Sequence, residues 1–370
     1  MKTQRRQTDP VLWGIMGTSA TTARQGDGAM GEDPLLGPQA LRAWVTGGHA
    51  ARGRVFLREA ETGADALAAA ADPEDVILEP AGSVPRPGAA RVVGYGGRLA
   101  DLGDELFLGE RGVELQDYIA ASFVQIVGPT AMRFFDEASW RAFLDDADLA
   151  RGTGVFAAAM LDPRVLLADR SALARPQEVE APRALRIDAD GGVHLGVQGE
   201  AIGHVDDLPA ALGKALPLAS ALGGVPGSAN LIVELDRRPW LRRYLDAADL
   251  RKMLRLPNGA ARIAGFGWAL LDDDLADAEP LTDDPFLLDT AEGFLLADVR
   301  TLRRHLLSPL TAAVVDAIQT SSTRGRAAAR VARACGVPDA HARHLCLEAL
   351  AALGVHLGAG IEDTSGGGAR

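Results

Sequence analysis

Between residues 53 and 170, short apolar runs alternate with polar and turn residues. RVFLREA, DVILEP and ARVVGYGG each carry a few consecutive apolar positions bounded by Gly, Pro or Asp, so each predicts a strand. TGADALAAAA, lying between the first two, predicts a helix. DELFLGERGVELQDYI predicts a hairpin turning at Gly109 to Gly112, and SFVQIVG a further strand. DEASWRAFLDDADLAR places Trp140, Phe143, Leu144 and Ala147 three and four positions apart, the spacing of one helix face.

A Pro-containing stretch, ARPQEVEAP, ends this pattern at residue 182. RALRIDADGGVHLGVQ then predicts a hairpin through DADGG. DDLPAALGKALPLASAL predicts a helix, NLIVEL a strand, RPWLRRYLDAADLRKML an amphipathic helix and ARIAGFGWALL a final strand. From about residue 285 a third pattern begins. PFLLD and GFLLADV flank a turn at Thr290 to Gly293, and LRRHLL follows as a third short strand. Ser308 is an N-cap residue with Pro309 in the first helical position. Leu310, Val314 and Ile318 repeat every four residues. A second helix covers Arg324 to Cys335 and stops at Gly336. A third opens at Pro338 and runs to Leu353, ended by Gly354, with VHL as a stub of strand behind it. Leu310, Val314, Ile318, Leu350 and Leu353 are the expected core of this block. Short strands followed by three helices is a winged-helix order.

The expected organisation is therefore a flexible tail at 1–40, an α/β (or α+β) domain at 41–173 and a second α/β block at 183–280. A winged-helix module at 285–358 and a short tail at 359–370 complete it. No repeat of 20 to 50 residues is evident.

Composition narrows the function classes. Apolar residues make up 47% of the 370-residue chain, enough for folded cores. The net charge of −12 disfavours general binding to nucleic acid or membranes unless basic charge is concentrated. No apolar run approaches the length of a membrane span. The N-terminal VLWGIM is too short for a secretory h-region. Two cysteines make no disulfide framework, and a reducing cytoplasm fits.

Basic charge is in fact concentrated. Arg300, Arg303, Arg304, Arg324, Arg326, Arg330, Arg333 and Arg343 face only Asp316 and Asp339 between residues 300 and 344, a local charge of +6. Such a surface suits a phosphate backbone or an acidic peptide.

Motifs for other chemistry are weak. GYGGRLADLG and GFG do not match a dinucleotide fingerprint, and no phosphate-binding loop is present. The Asp145-Asp146-Asp148, Asp272-Asp273-Asp274 and Asp283-Asp284 runs lack a cation-loop spacing. CGVPDAHARHLC brings Cys335, His341, His344 and Cys346 together, but C-x5-H-x2-H-x-C is not a zinc-finger spacing. No nucleophile elbow, HExxH or CxxC appears. No catalytic residue, cofactor or metal is expected.

The choice between DNA and peptide turns on the third helix. Its start offers only His341, Arg343 and His344 to read bases, and most of its length is small and apolar. That suits an extended peptide adding as a strand beside it. The order of short strands, LSPLTAAVVDAI, a helix and HLCLEALAALGV resembles the PqqD-like RiPP recognition element, over about 70 residues. The segment ELQDYIAASFVQIVGPTAMRFFDEASWRAFLDDADLARGTGVFAAAMLDPRVLLAD (114–169) is similar to the central part of recognition proteins from daptide clusters.

These resemblances imply a non-catalytic protein that binds the leader of a ribosomally made precursor peptide. They further imply that it presents the precursor to a modifying enzyme, an alcohol-dehydrogenase-like oxidative decarboxylase. The expected peptide contacts are Leu302, Arg303, Arg304, His305 and Leu306 on the third strand, with Arg343 and Leu347 on the third helix. Two rival readings are a winged-helix transcription regulator with an α/β sensor domain and an unrecognised enzyme in the α/β blocks.

Overall fold

The computed structural model describes residues 33–48 and 53–360; the expected tail residues 1–32 and 361–370 lie outside them. In chain order the elements begin with α1 (Leu36–Thr46), β1 (Val55–Arg58), α2 (Ala64–Ala70), β2 (Val76–Pro80), β3 (Arg91–Gly97), β4 (Glu105–Leu108), β5 (Arg111–Asp117) and β6 (Thr130–Arg133). Next come α3 (Glu137–Thr153), α4 (Ala158–Leu161), β7 (Val165–Leu167), α5 (Arg170–Ala174), β8 (Val179–Glu180), β9 (Ala184–Ile187), β10 (Gly192–Leu195) and β11 (Ala201–His204). Then follow α6 (Leu208–Leu212), β12 (Leu216–Pro217), α7 (Ser228–Asp236), α8 (Leu241–Leu254), β13 (Ala261–Ile263) and β14 (Ala278–Glu279). The last are β15 (Phe286–Thr290), β16 (Gly293–Ala297), β17 (Arg304–Leu307), α9 (Pro309–Gln319), α10 (Arg324–Cys335), α11 (Asp339–Ala352) and β18 (Ala359–Gly360).

The chain is of mixed α/β class and divides into two compact units. The first runs up to Asp145 and resumes over Asp162–Arg242; the second takes Asp146–Leu161 and everything from Arg243.

The first unit is built on one ten-stranded mixed sheet in the order β11-β10-β9-β1-β2-β3-β4-β5-β6-β7. β9, β10 and β11, from the stretch expected to open a second block, extend this same sheet: β9 pairs in parallel with β1. Helix α1 begins at Leu36, inside the stretch expected as a tail. Its Gly37, Ala40, Leu41, Trp44 and Val45 fall on one stripe and are buried. That stripe shares a core with Leu57, Leu78, Tyr95, Leu115 and Leu166, drawn from β1, β2, β3, β5 and β7. The Trp44 indole donates to Leu185 O of β9 at 2.9 Å. On a flat sheet β9 and β7 would stand seven strand spacings apart, roughly 34 Å at about 4.8 Å each. One helix is only about 10 Å across, yet α1 packs on both. The sheet is therefore curled around α1.

Asp169, directly after β7, ties the curl. Its carboxylate accepts the N–H of Val197 at 3.2 Å and of Gln198 at 3.1 Å, both just past β10. Its own N–H donates to Val45 O of α1 at 2.8 Å. The Gln198 amide oxygen in turn accepts the N–H of Phe134, past β6, at 3.0 Å. Gly196 permits this approach, since a Cβ there would stand 2.0 Å from Asp169 Oδ1. Burial pushes the Asp169 carboxyl up to about 7, against the pull of its N–H donors and of the Arg133 charge.

The second unit centres on α9, whose residues Ala312 to Gln319 are all buried. It is enclosed by α10, α11 and the antiparallel sheet β13-β15-β16-β17. The Ser308 hydroxyl caps α9 by accepting the Thr311 N–H at 3.1 Å, and Pro309 stands in the first turn. Gly336 closes α10 in the left-handed region. Val314 and Ile318 are buried as expected, but Leu310 is exposed and Leu350 and Leu353 only flank the core. On α11 the fully buried positions are Ala342, Cys346 and Ala349. Small side chains there let α11 lie close to α9.

Five other expectations are corrected. SFVQIVG is not a strand: β5 pairs directly with β6 (TAMR), and Phe123 and Val127 are exposed in the connection between them. NLIVEL is helical in α7, burying Leu231 and Leu235 four apart while Val233 is exposed. A short apolar run fits either element, and here the burial period is that of a helix. DDLPAALGKALPLASAL forms only α6 before Gly213 and Pro217 interrupt it. ARIAGFGWALL pairs only over β13, because Gly265 and Gly267 turn the chain at positive φ. The strand after the third helix falls at β18, not at VHL, and pairs with β14.

A polar spine links the segment before β15 to the helices. Arg330, 1% exposed, bonds Asp273 at 2.8 Å and donates to Thr320 O, Thr320 Oγ1 and Ser321 Oγ. Buried Asp316 accepts the N–H groups of Leu270 and Leu271. Asp284 accepts from Gln319 and from the His356 ring and N–H.

Two outcomes are expected. The folded-state value of Asp169, about 7, lies above its ordinary 3.8, so the folded chain holds the extra proton across that window. Stability should therefore fall as pH rises from 3.8 to about 7. Thermal melts over that range, with Asp169→Asn removing much of the slope, check this. Asp273→Ala leaves the buried Arg330 guanidinium without its carboxylate. It should lower stability by about 3 kcal/mol in urea unfolding, the low end for a broken buried pair because three neutral acceptors remain.

Candidate functional site

The edge of the second unit's sheet carries most of the expected contact residues. Among the described residues β17 pairs with β16 on one side only and is the last strand of the sheet. The turn before it is held by Asp298. Its carboxylate accepts the N–H of Arg300 at 2.8 Å and the hydroxyl of Thr301 at 2.8 Å, while its N–H donates to Arg303 O at 3.0 Å. Partial burial raises the Asp298 pKa, but these donors and the Arg300 charge bring it below the ordinary carboxylate range. Leu302 follows at φ 57, a left-handed conformation that a side chain rarely takes.

The Asp298–Arg303 bond sets the phase of the ladder. Antiparallel pairs alternate between bonded and non-bonded, so the pairs His305–Leu296 and Leu307–Phe294 bond inward. The N–H and C=O of Arg304 and Leu306 then point to the open edge. Side chains alternate as well. Leu307 packs toward the core, and His305 and Arg303 share its face. Arg304 and Leu306 occupy the opposite face, with Leu306 71% exposed beside its partner Leu295.

Beneath Arg303 and His305 lies a cavity of about 200 Å³. It is closed by Leu296, Asp298 and Thr301 from the sheet and turn, and by Ala352, Leu353 and Gly354 at the end of α11. Its volume is below the ~300–1,000 Å³ of small-molecule sites, and suits a side chain rather than a whole ligand.

The expected residues therefore separate into three places. Arg303 and His305 line the cavity. Leu302, Arg304 and Leu306 lie at the edge and on the outer face. Arg343 and Leu347 are exposed on α11, four residues apart, and neither lines the cavity. Sequence reasoning missed Asp298, Thr301 and the C-terminal turn of α11. The Asp298-x-x-Thr301 spacing, a local side-chain-to-backbone turn, was the available signal.

The arginine concentration is partly neutralised from outside the block. Asp283 pairs with Arg300 at 3.0 Å, Asp277 with Arg326 at 2.8 Å and Asp273 with Arg330. Arg303, Arg304, Arg324, Arg333 and Arg343 have no side-chain partner among the described residues. The thiol-imidazole stretch is dispersed: Cys346 is buried, with its pKa raised by burial, and His344 pairs with Glu348 at 3.1 Å. Among the described residues no group of three or more His, Cys, Asp or Glu could hold a metal, and no helix is long and apolar enough to cross a membrane.

Comparison of the chain with protein-family models, with curated proteins and with solved structures finds no match.

Proposed function

We propose that the block from Phe286 to Leu353 is a winged helix of the PqqD-like kind that binds an extended peptide along β17. The peptide adds as a further strand, its backbone bonding the outward N–H and C=O groups of Arg304 and Leu306. One of its side chains enters the cavity under Arg303 and His305. Main-chain bonds give sequence-tolerant affinity and the cavity gives selectivity. The single observation that carries this reading is the open edge of β17 set over a side-chain-sized cavity. An uncovered strand edge invites association and is normally blunted, and here Leu306 stands 71% exposed on it among Arg303, Arg304 and His305.

With the resemblances of the sequence, the peptide is the leader of a ribosomally made precursor. The protein is a non-catalytic recognition factor that presents that precursor to the modifying enzymes of a daptide-like cluster, an alcohol-dehydrogenase-like oxidative decarboxylase among them. Cytoplasmic action follows from that role. The transcription-regulator reading is weakened by the acidic partners of Arg300, Arg326 and Arg330, which leave less free positive charge for a phosphate backbone.

Fluorescence anisotropy with a labelled leader peptide, taken from a short reading frame beside the gene, tests the binding. Leu306→Pro removes an N–H that faces the open edge, so it should leave the fold intact. It should weaken binding by up to about tenfold, the loss of one backbone hydrogen bond. Arg303→Glu with Arg304→Glu should weaken it less and flatten its salt dependence, since exposed ion pairs are each worth only about 0–1 kcal/mol. Unchanged affinity in Leu306→Pro, with loss in the double Glu variant, would move the reading to an electrostatic surface. Incubated alone with the precursor and common cofactors, the purified chain should leave the peptide mass unchanged.

A further inference from the structure

The first unit holds a second, larger cavity of about 490 Å³, within the range of small-molecule sites. It lies where the curled sheet closes. Arg133 at the end of β6 and Arg186 in β9 both line it, together with Phe135, Gln198 and Gly199. These two strands are far apart in the sheet order and meet only because the Asp169–Gln198 seam draws the strand ends together.

Each arginine is fixed by one bond. Arg133 Nη1 donates to Ala100 O at 3.0 Å, and its guanidinium lies 4.1 Å over the Phe135 ring. Arg186 Nη1 donates to Glu59 at 3.2 Å. In both side chains the Nε–H is buried without a protein partner. Other arginines carry such nitrogens, Arg58 and Arg243 among them, but they line neither cavity described. Of the two cavities described, this one alone is lined by two guanidinium groups.

We propose that this cavity binds a phosphoryl dianion, either free phosphate or the phosphate end of a small metabolite, between Arg133 and Arg186. The two guanidinium charges repel each other, and each group carries a planar set of donors matched to oxyanion geometry. A phosphoryl group offers enough oxygens to accept N–H donors from both guanidinium groups at once. A monocarboxylate, with two oxygens, spans the pair less completely. The other charged groups facing the site do not duplicate this role. His194 is held by Asp188 at 2.8 Å, Glu200 lies exposed at the rim, and Glu59 already pairs with Arg186. Burial lowers the Arg133 pKa and the Arg186 charge lowers it further, against the opposite pull of Asp169, Asp101 and Asp117. The site is independent of the peptide edge on β17.

The test is a titration of the full chain with inorganic phosphate at pH 7.5, ionic strength held constant with chloride, read by calorimetry and by phosphorus NMR line width. Saturable binding of one equivalent is expected. Arg133→Gln and Arg186→Gln should each raise the Kd about tenfold or more, the scale of a lost charge-assisted bond. Arg186→Lys should recover part of the affinity, and Arg304→Gln should bind as the unaltered chain does. Near-UV circular dichroism identifies any variant that fails to fold; if Arg133→Gln is one, Arg186→Gln decides alone. Absence of saturable binding, or an unchanged Kd on losing Arg186, overturns the site. Equal affinity for acetate and phosphate overturns the dianion assignment.

Discussion

A single buried carboxylate holds the first unit in its curled form. A sheet of ten strands has two ends, and nothing in the strand ladder itself brings them together. Asp169 does so by taking N–H donors from the chain past β10 while its own backbone binds α1. The geometry requires glycine at 196 and a left-handed backbone at Asp169 itself, φ 49. The charge is desolvated to make these bonds, which is why its proton is held so firmly. Trp44 then fills the space the curl encloses, and the arginines of β6 and β9 become neighbours. The cavity between them is thus a by-product of closure.

The second unit solves a different problem. Its central helix is buried on all sides, so α9 must be wrapped by α10, α11 and the sheet. The sheet that does this stops at β17. Alternation along that strand divides its short sequence between two surfaces, one lining a small cavity and one presenting Leu306 and the free backbone. Four residues thereby offer both a hydrogen-bonding edge and a socket, and no residue needs to move to expose either.

The second unit's hairpin and helices were legible in the sequence because every boundary carried its own chemistry. Ser308 and Pro309 open α9, and Gly336 closes α10, each for a reason that needs no distant partner. The failures were of the opposite kind. NLIVEL reads equally well as strand or helix until its burial is known, and SFVQIVG has strand composition but no strand beside it. The α1 stripe sat in a stretch rich in Gly and Pro and was passed over. Within the site, Arg303 and His305 could be placed from strand alternation, whereas Leu347 could not, because a helix's rotation about its axis is fixed by packing. The pairing of Asp273, Asp277 and Asp283 with the arginines joins residues 17 to 57 positions apart, and no local pattern announces it.

That pairing has a consequence for dividing the molecule. Cut at Phe286, the C-terminal block would keep its three helices and its hairpin but lose Asp273, Asp277 and Asp283, together with Asp284 beneath His356. Arg330 would be buried with no carboxylate, and Arg300 and Arg326 would be released to solvent. The fragment would also lack β13, baring the sheet's other edge beside β15. It would present itself in solution as a cationic, two-edged particle, apt to stick to nucleic acid and to itself. The electrostatic character of this block is therefore set by residues that precede it, and the excised piece would carry a surface charge that the intact chain does not have.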